Sequence, residues 1–228
     1  ISNTLLKAKI DIRKIVFKQI LDNFGGHLRV VLYGAAPMNK ATIIGYNNLG
    51  ISLIQGYGLT ETSPVISAEN AKKKRYGSIG FPMENVEVEI INKDENGIGE
   101  IRVKGPNVML GYYENPEATK EVLKNGWFYT GDLAKIDSEG YIFICGRKKN
   151  VIVLKNGKNI YPEEIEVLIN NLPYVTEALV FGYPKGDDLI LSAKIVYDEH
   201  YVKNNFKDFK ICLFKKKKNN KSIHYYIN

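Results

Sequence analysis

The sequence is poor in cysteine and has no long apolar segment, and each shortage excludes a class of protein. Its two cysteines among 228 residues, Cys145 and Cys212, are too few and too far apart for a disulfide framework or a zinc site. A reducing compartment is therefore expected, and we place the protein in the cytoplasm. Residues 151–154 (VIVL) are typical of its longest apolar runs, whereas a membrane helix needs roughly 20 residues.

The excess of positive charge is confined to the end of the chain. The formal net charge is +7, and residues 201–228 alone contain eight lysines and one aspartate, so the preceding residues are electroneutral. A neutral body gives little reason to expect a nucleic-acid partner. Residues 206–228 have no hydrophobic period and contain four consecutive lysines. We interpret them as a solvated or disordered tail.

The first part of the chain has the pattern of a parallel strand–helix–strand unit. Apolar residues with near-helical spacing over residues 5–21 predict a helix, which Gly25 and its neighbouring glycine would end. Residues 28–33 and 51–54 predict two buried strands, and residues 41–49 predict a helix between them. A helical crossover joins parallel strands, so this part is interpreted as a βαβ unit.

The middle of the chain has the pattern of antiparallel hairpins. Residues 86–91 alternate apolar and acidic side chains, which predicts a half-exposed strand, and residues 100–104 predict the strand that returns. Asn115 followed by proline is typical of a helix start. Residues 133–136 and 141–145 flank a turn sequence (DSEG) and predict a second hairpin.

The pattern begins again after the basic segment 147–150 (RKKN), which marks a domain boundary. Beyond it the sequence predicts a strand at 151–154, a helix at 162–171 and strands at 177–181 and 189–197. The expected fold is therefore mixed α/β and α+β. It would comprise the end of a large domain (residues 1–147), with a parallel βαβ unit and an antiparallel β subdomain, then a small, incomplete α+β domain (148–205) and a basic degenerate tail (206–228).

Residues 55–62 (QGYGLTET) directly follow the second predicted strand. Ligands of α/β proteins bind at the carboxyl ends of parallel strands, and glycines there let the backbone approach a ligand closely. Tyr57 has a face on which a planar base can stack, the Thr60 hydroxyl can donate to a phosphate oxygen, and the Glu61 carboxylate can hold Mg²⁺. The alternative is a glycine-rich turn, which is the better interpretation for Gly-Tyr-Gly alone.

Two further segments each carry a charged group that suits a nucleotide. Asp132 follows a glycine in residues 126–133 (GWFYTGDL), interpreted as an aromatic-rich turn, and a carboxylate can accept hydrogen bonds from both ribose hydroxyls. Arg147 begins the basic segment, and a guanidinium binds phosphate through paired hydrogen bonds. The alternatives are a turn or capping aspartate and a solvated basic linker. A predicted hairpin separates the two residues, so they can converge on one ligand.

Gly34 opens a fourth segment, residues 34–37 (GAAP), at the end of the first predicted strand. Its small side chains leave room for a ligand beside the backbone. The alternative is a turn with proline that starts a helix, and for this segment in isolation that alternative is the better interpretation.

These segments occur in a fixed order with other recognisable ones. They are residues 32–38 (LYGAAPM), 55–62, 99–119 (with GEIRVKG, GYY and NPEAT), 129–133 (YTGDL), 146–147 (GR) and 157–166 (GKNIYPEEIE). Together they resemble the adenylate-forming superfamily of acyl-CoA synthetases, firefly-type luciferases and peptide-synthetase adenylation domains. The similarity covers roughly residues 20–200. The GKNIYPEE sequence and the Ser63-Pro64 pair look most like those of long-chain fatty acyl-CoA ligases.

The resemblance implies a role for each matching residue of the first segments. Tyr57 would stack on adenine, in a pocket lined by Gly34 and Gly56. Thr60 would hold the α-phosphate of ATP. Glu61 would hold the Mg²⁺, so Thr60 and Glu61 would be the catalytic residues.

The resemblance also implies roles for the later segments. Asp132 would bind the ribose hydroxyls, and Arg147 would contact ribose and phosphate. Lys149 would be the hinge between the two half-reactions, and the loop of Gly157 would line the channel for the pantetheine arm of CoA.

The implied reaction joins a carboxylic acid, most simply a fatty acid, to the α-phosphate of ATP, and then transfers the acyl group to the sulfur of CoA. ATP, Mg²⁺ and CoA are the expected co-substrates. No nucleic-acid partner and no transmembrane segment are expected, and peripheral contact with a membrane is left open.

Two features of the superfamily have no counterpart in the sequence. One is a glycine/serine/threonine-rich loop ending in Pro-Lys-Gly, and the other is a late catalytic lysine in a Gly-Lys motif. The chain also begins with Ile1 and without a signal peptide. We therefore expect a piece truncated at both ends that does not catalyse adenylation alone. The alternatives are an adenylation domain that loads a carrier protein and a non-catalytic remnant.

Overall fold

The structure, a computed structural model, describes residues 11–71, 73–186, 188–205 and 222–226. Its contacts divide the chain into two units. The first comprises Ile1–Thr130 and Ala134–Ile144, and the second comprises Gly131–Leu133 and Cys145–Asn228. Asp132 and Arg147 therefore belong to the same unit. The domain bounds expected from the sequence stay predictions.

The helix expected over residues 5–21 is interrupted. Its described part forms two short helices, α1 (Arg13–Val16) and α2 (Lys18–Asn23). The break falls at Phe17, whose φ of −105° and ψ of 21° depart from helical values. Residues 5–10 lie outside the described residues.

The expected strand–helix–strand unit is confirmed. Strand β1 (Val30–Tyr33) is followed by helix α3 (Lys40–Leu49) and strand β2 (Ser52–Gly58), and the two strands pair in parallel. The Asn39 side chain caps α3 by accepting a backbone N–H of its first turn at 2.7 Å. Gly50 ends the helix in the left-handed conformation, with φ 90°.

The parallel pair begins a four-stranded sheet of order β1-β2-β3-β4, in which β3 (Val65–Ala68) and β4 (Phe81–Pro82) are antiparallel additions. The second strand is buried as predicted, and Leu53 is 2% exposed. The first strand was predicted to be buried, but Val30 and Leu32 are 47% and 72% exposed. Apolar residues throughout the strand predicted burial on both faces, but Val30 and Leu32 share one face, which is exposed, whereas Val31 and Tyr33 on the other face are half-buried.

A second sheet contains the expected hairpins. Helix α4 (Pro116–Val122) lies between two of its strands in the sequence and begins at the predicted Asn115 cap. The strands are β5 (Glu87–Ile91), β6 (Gly99–Lys104), β7 (Leu123–Lys124), β8 (Trp127–Ile136) and β9 (Ile142–Arg147). Their order is β5-β6-β8-β7, and β9 also pairs with β8.

The core of the first unit draws on both sheets. A cluster of buried aliphatic side chains joins residues from β3, β5, β6, β8 and β9, and half-buried side chains, Tyr57 among them, pack against it. Alternation along the strands supplies this cluster, because every second side chain of a strand points to the same face. The cluster consists of Ile66, Ile79, Ile90, Ile101, Val103, Ala134 and Ile142.

Within its described residues, the second unit has a short hairpin, two helices and a three-stranded sheet. The Glu166 carboxylate, on the first of these helices, accepts the backbone N–H of Val180 at 2.8 Å. The elements are β10 (Ile152–Val153), β11 (Asn159–Ile160), α5 (Pro162–Asn170), β12 (Val175–Lys185), β13 (Asp188–Tyr197), α6 (Glu199–Asn205) and β14 (Ser222–Tyr226). Strands β12, β13 and β14 pair in that order, each antiparallel to its neighbour.

The structure differs from the expected tail at one place. Residues Ser222–Tyr226 were part of the stretch interpreted as solvated or disordered, but they form β14 against β13. Tertiary pairing can stabilise a strand that has no clear pattern of its own. The remaining tail residues, 206–221 and 227–228, lie outside the described residues.

Helices of the described chain are short. The longest, α3, has ten residues, and none of those described has the length and apolar character needed to cross a bilayer.

Shortening a side chain at the centre of the core should destabilise the first unit. Ile101 is 0% exposed, so Ile101→Ala removes buried apolar surface and leaves a cavity. We expect a loss of about 3 kcal/mol in the free energy of unfolding. Ile136→Ala is the matched control, since Ile136 is 43% exposed. Urea denaturation of both variants measures the difference, and equal losses would contradict this description of the core.

Candidate functional site

The carboxyl ends of β1 and β2 bring two of the predicted site residues together. Gly34 directly follows β1, and Gly56 lies in β2 beyond the last residue paired with β1. A Cβ atom on Gly34 would lie 2.9 Å from the carbonyl oxygen of Gly56, closer than a side chain tolerates. The two backbones can therefore approach as they do because residue 34 is glycine.

Tyr57 extends from the same edge of the sheet. It is half-buried and packs against the core cluster. The preceding residues are also held in place: the Tyr33 hydroxyl donates to Gln55 Oε1 at 3.1 Å, and the Gln55 backbone N–H donates to Glu69 Oε2 at 3.0 Å. Burial, followed by the Glu69 carboxylate, raises the pKa of Tyr33 to about 12, so this phenol stays a donor near neutral pH.

Thr60 and Glu61 lie on a 3₁₀ turn (Thr60–Thr62) that follows β2. Thr60 is exposed and Glu61 is half-buried. Thr62 is 0% exposed and serves the turn itself. It accepts the Leu59 backbone N–H at 3.1 Å, and its hydroxyl lies 3.0 Å from the carbonyl oxygen of Pro64.

Glu61 has two contacts with a later segment, which the sequence reasoning did not anticipate. Its backbone carbonyl accepts the Met109 N–H at 2.8 Å, and its Oε1 accepts the Tyr112 hydroxyl at 2.9 Å. Burial, followed by the hydrogen bond to Glu61, raises the pKa of Tyr112. The GYY motif marked Tyr112 as a residue of interest in the sequence. Its contact with Glu61, 51 positions away, cannot be predicted from spacing.

The chemistry of this turn fits a magnesium ion that arrives with phosphate. In the part of the chain that the structure describes, no three His, Cys, Asp or Glu side chains are placed to hold a metal ion. A single carboxylate such as Glu61 still suits Mg²⁺, because this ion keeps several waters and is commonly bound by one or two carboxylates plus substrate phosphates.

Asp132 lies in the second unit. The sequence interpretation placed it in a turn, but the structure places it in a strand. It is in the middle of β8 and is 6% exposed. The chain leaves regular strand geometry one residue earlier, at Gly131, whose φ of 71° favours glycine. The aromatic residues before it belong to the strand, because alternate burial along a sheet accommodates large side chains.

Asp132 and Arg147 converge as their spacing predicted. Arg147 Nε lies 2.9 Å from Asp132 Oδ1. Arg147 remains 44% exposed, and with Lys148, Lys149 and Gly131 it lines a cavity of about 300 Å³. Three cationic side chains at one cavity favour an anionic guest such as a phosphate group.

Glu163, in the first turn of α5, holds the basic segment and was missed by the sequence reasoning. Its Oε1 accepts the backbone N–H of Arg147 at 3.3 Å and the side-chain amide of Asn150 at 2.7 Å. A Cβ atom on Gly146 would lie 2.4 Å from Glu163 Oε2. A side chain at position 146 would therefore displace the Glu163 carboxylate, which holds the basic segment.

The two remaining predicted residues are in exposed positions of the second unit. Lys149 lies on the 3₁₀ turn Lys148–Asn150 after β9. Gly157 lies in the turn between β10 and β11, where its φ is 80° and its N–H donates to the carbonyl oxygen of Leu154 at 2.8 Å. The roles of both residues stay predictions.

Glycines that meet at the carboxyl ends of parallel strands are the hallmark of a ligand-binding α/β protein. Comparison with known proteins agrees with that class and narrows it. Residues 3–113 match the family model for "AMP-binding enzyme". The long-chain-fatty-acid–CoA ligase of Escherichia coli O6:H1 is 39% identical over 190 residues, which cover 81% of this chain and 32% of the relative.

Solved structures with the same fold bind adenine nucleotides. O-succinylbenzoate coenzyme A synthetase from Bacillus subtilis in complex with AMP matches with a TM-score of 0.71 and 28% identity, over 84% of this chain and 43% of that one. The same synthetase in complex with ATP and magnesium matches with a TM-score of 0.68 and 27% identity, over 85% and 44%. The chain therefore belongs to the adenylate-forming, AMP-binding superfamily. It spans about a third of the length of the curated relatives it matches.

Substitutions of the two threonines on this turn should differ in their effect on stability, because Thr62 is buried and bonded to the turn whereas Thr60 is exposed. Thr62→Val leaves the Leu59 N–H without its acceptor, so we expect a loss of about 1–3 kcal/mol in the free energy of unfolding. Thr60→Val should change stability little, because Thr60 is exposed. Thermal and urea unfolding of the two variants test this. A larger loss at Thr60 than at Thr62 would contradict the assignment.

Proposed function

We propose that this chain carries the AMP-binding and hinge part of an ATP-dependent acyl-CoA ligase that acts on a fatty acid. The observation that carries the proposal is the approach of Gly34 to Gly56 at the carboxyl ends of β1 and β2, with Tyr57 beside them. Nucleotides bind at this edge of α/β sheets. The similarity to AMP-bound and ATP-bound relatives supports the same ligand.

In this proposal the first unit binds the base and the α-phosphate. Tyr57 offers a ring face to adenine, next to backbone that Gly34 and Gly56 keep free of side chains. Thr60, exposed on its turn, donates its hydroxyl to an α-phosphate oxygen. Glu61 would hold Mg²⁺, which when bound offsets the negative charge of the phosphates.

The second unit supplies a carboxylate and a guanidinium. Asp132 accepts hydrogen bonds from the ribose hydroxyls, and its ion pair with Arg147 fixes the orientation of the carboxylate. Arg147 contacts ribose and phosphate. Attack by a carboxylate on the α-phosphate brings two anions together, and a guanidinium lowers that barrier by stabilising the developing charge.

The proposed reaction has two half-reactions. The substrate carboxylate oxygen attacks the α-phosphorus of ATP, pyrophosphate leaves, and an acyl-AMP forms. The thiol of CoA then attacks the acyl carbon, its proton is lost, and AMP leaves. Lys149 is the proposed hinge between the two steps, and the turn of Gly157 the proposed wall of the pantetheine channel.

The nature of the acid and of the acceptor rests on the relatives. The Escherichia coli relative is a long-chain-fatty-acid–CoA ligase, which favours a fatty acid. CoA is proposed as the acceptor, ahead of a carrier protein, because that relative is a CoA ligase. The sequence contains no glycine/serine/threonine-rich loop that ends in Pro-Lys-Gly, since its Pro-Lys-Gly at residues 184–186 lies at the end of β12. Nucleotide binding is therefore a more direct test than turnover.

Tyr57→Leu should weaken AMP binding without unfolding the chain. Leucine keeps the apolar contact with the core but has no ring on which adenine can stack. Because stacking on an aromatic ring contributes about 1–3 kcal/mol per base, we expect roughly a tenfold rise in the Kd for AMP, measured by calorimetry. Tyr113→Leu is the matched control, since Tyr113 is 89% exposed. If the unaltered chain does not bind AMP, the non-catalytic alternative is favoured.

The role of Asp132 predicts discrimination between riboses. The unaltered chain should bind AMP about tenfold more tightly than 2′-deoxy-AMP, because the deoxy sugar leaves a charged acceptor without one of its donors. Asp132→Asn should reduce this ratio towards one. Calorimetry with both nucleotides measures the ratio, and circular dichroism checks that the variant is folded. Equal affinities of the unaltered chain for the two nucleotides would exclude Asp132 as a ribose ligand.

A further inference from the structure

The segment of residues 107–119 carries one of the motifs of the sequence, yet none of the proposed ligand contacts uses it. It runs from the end of the β5–β6 hairpin to helix α4, and its backbone crosses to the turn that holds Glu61. The Asn107 side-chain amide donates to the carbonyl oxygen of Val65 at 2.9 Å. The Met109 N–H donates to the Glu61 carbonyl oxygen at 2.8 Å. The segment is therefore tied to the turn at Glu61 and to the start of β3 at Val65.

The backbone of Tyr112 is fixed from the other side. Its N–H donates to Thr119 Oγ1 at 2.9 Å, and the Thr119 hydroxyl donates to the carbonyl oxygen of Asn115 at 2.9 Å. Gly111 allows this approach, because a Cβ atom there would lie 2.9 Å from Thr119 Cγ2. The Asn115 side chain in turn caps α4. The glycine, asparagine and threonine of the motif thus attach Tyr112 to a helix end.

With its backbone held, Tyr112 presents its hydroxyl to Glu61 Oε1 at 2.9 Å. A free glutamate side chain loses up to about 2 kcal/mol of rotamer entropy when a ligand immobilises it. A carboxylate already held by a donor loses less when it binds. Mg²⁺ also demands near-ideal octahedral geometry, so the orientation of the carboxylate matters more than for a larger ion.

We propose that Tyr112 is a positioning residue for Glu61, and that the segment 107–119 orients this carboxylate towards the metal ion that accompanies ATP. The inference rests on the proposed function, since it needs Glu61 as a metal ligand. Tyr112 acts through Glu61 and makes no contact of its own with nucleotide or metal. Outer partners of metal ligands typically change metal affinity by about 10–100-fold when they are removed.

The test compares Tyr112→Phe with Tyr113→Phe in the purified 228-residue chain. The two residues are neighbours, and the control is 89% exposed. Calorimetry gives the Kd for ATP in excess MgCl₂ and in EDTA, and the ratio of the two measures the gain due to Mg²⁺. We expect Tyr112→Phe to reduce that gain about tenfold. The Kd for AMP in EDTA should be unchanged in both variants.

A second measurement needs no ligand. Urea denaturation of Tyr112→Phe, Glu61→Ala and the double variant forms a double-mutant cycle. If the hydroxyl is bonded to the carboxylate, the double variant should lose clearly less stability than the sum of the single variants. Additive losses would overturn the proposal, because they would show that the two side chains are not coupled in the folded chain.

The outcomes separate this proposal from the function on which it rests. If the unaltered chain gains affinity for ATP from Mg²⁺ and Tyr112→Phe gains as much or more, the positioning role alone is overturned. If the unaltered chain binds no ATP under either condition, the proposed function fails and the metal-positioning role fails with it. A reduced gain in Tyr112→Phe, with Tyr113→Phe unchanged and a non-additive cycle, supports both.

Discussion

The parallel pairing of β1 with β2 is the constraint on which the first unit depends. It aligns Tyr33 with Gln55 and so brings the next residue of each chain segment, Gly34 after β1 and Gly56 within β2, to the same edge of the sheet. At that edge a Cβ atom on Gly34 would come within 2.9 Å of a carbonyl oxygen. The open backbone there, the ring of Tyr57 and the following 3₁₀ turn are consequences of this register, because a slip of one residue would turn every side chain of the strand to the other face.

The motif of residues 55–62 contains exposed side chains and side chains that stabilise its own turn through hydrogen bonds. Thr60 is exposed, whereas Thr62, two positions later, is buried and bonded to its own turn. The same division recurs in the second unit, where Arg147 lines the cavity and Glu163 holds its backbone N–H. A short sequence pattern thus contains both exposed candidate ligand residues and residues that support the local structure, and spacing alone does not distinguish the two.

Much of the fold followed from local patterns, and the errors have physical causes. The Asn115 and proline signal placed the start of α4 correctly, since capping is a short-range effect. Strand β1 was predicted to be buried because its residues are apolar, but one of its two faces, which carries Val30 and Leu32, is exposed. Asp132 was assigned to a turn on account of Gly131, yet a strand accommodates one glycine with positive φ as a local irregularity.

By itself the sequence determined the superfamily, the identity of the candidate site residues and the order in which they occur, because each motif is a contiguous string whose chemistry can be read directly. Only the tertiary structure decided which side chains meet. The hydrogen bond of Tyr112 to Glu61 joins residues 51 positions apart, and that of Glu163 to Asn150 joins residues 13 apart. Contacts of this kind depend on how strands and helices pack, which is a property of the folded chain as a whole and leaves no periodic trace along it.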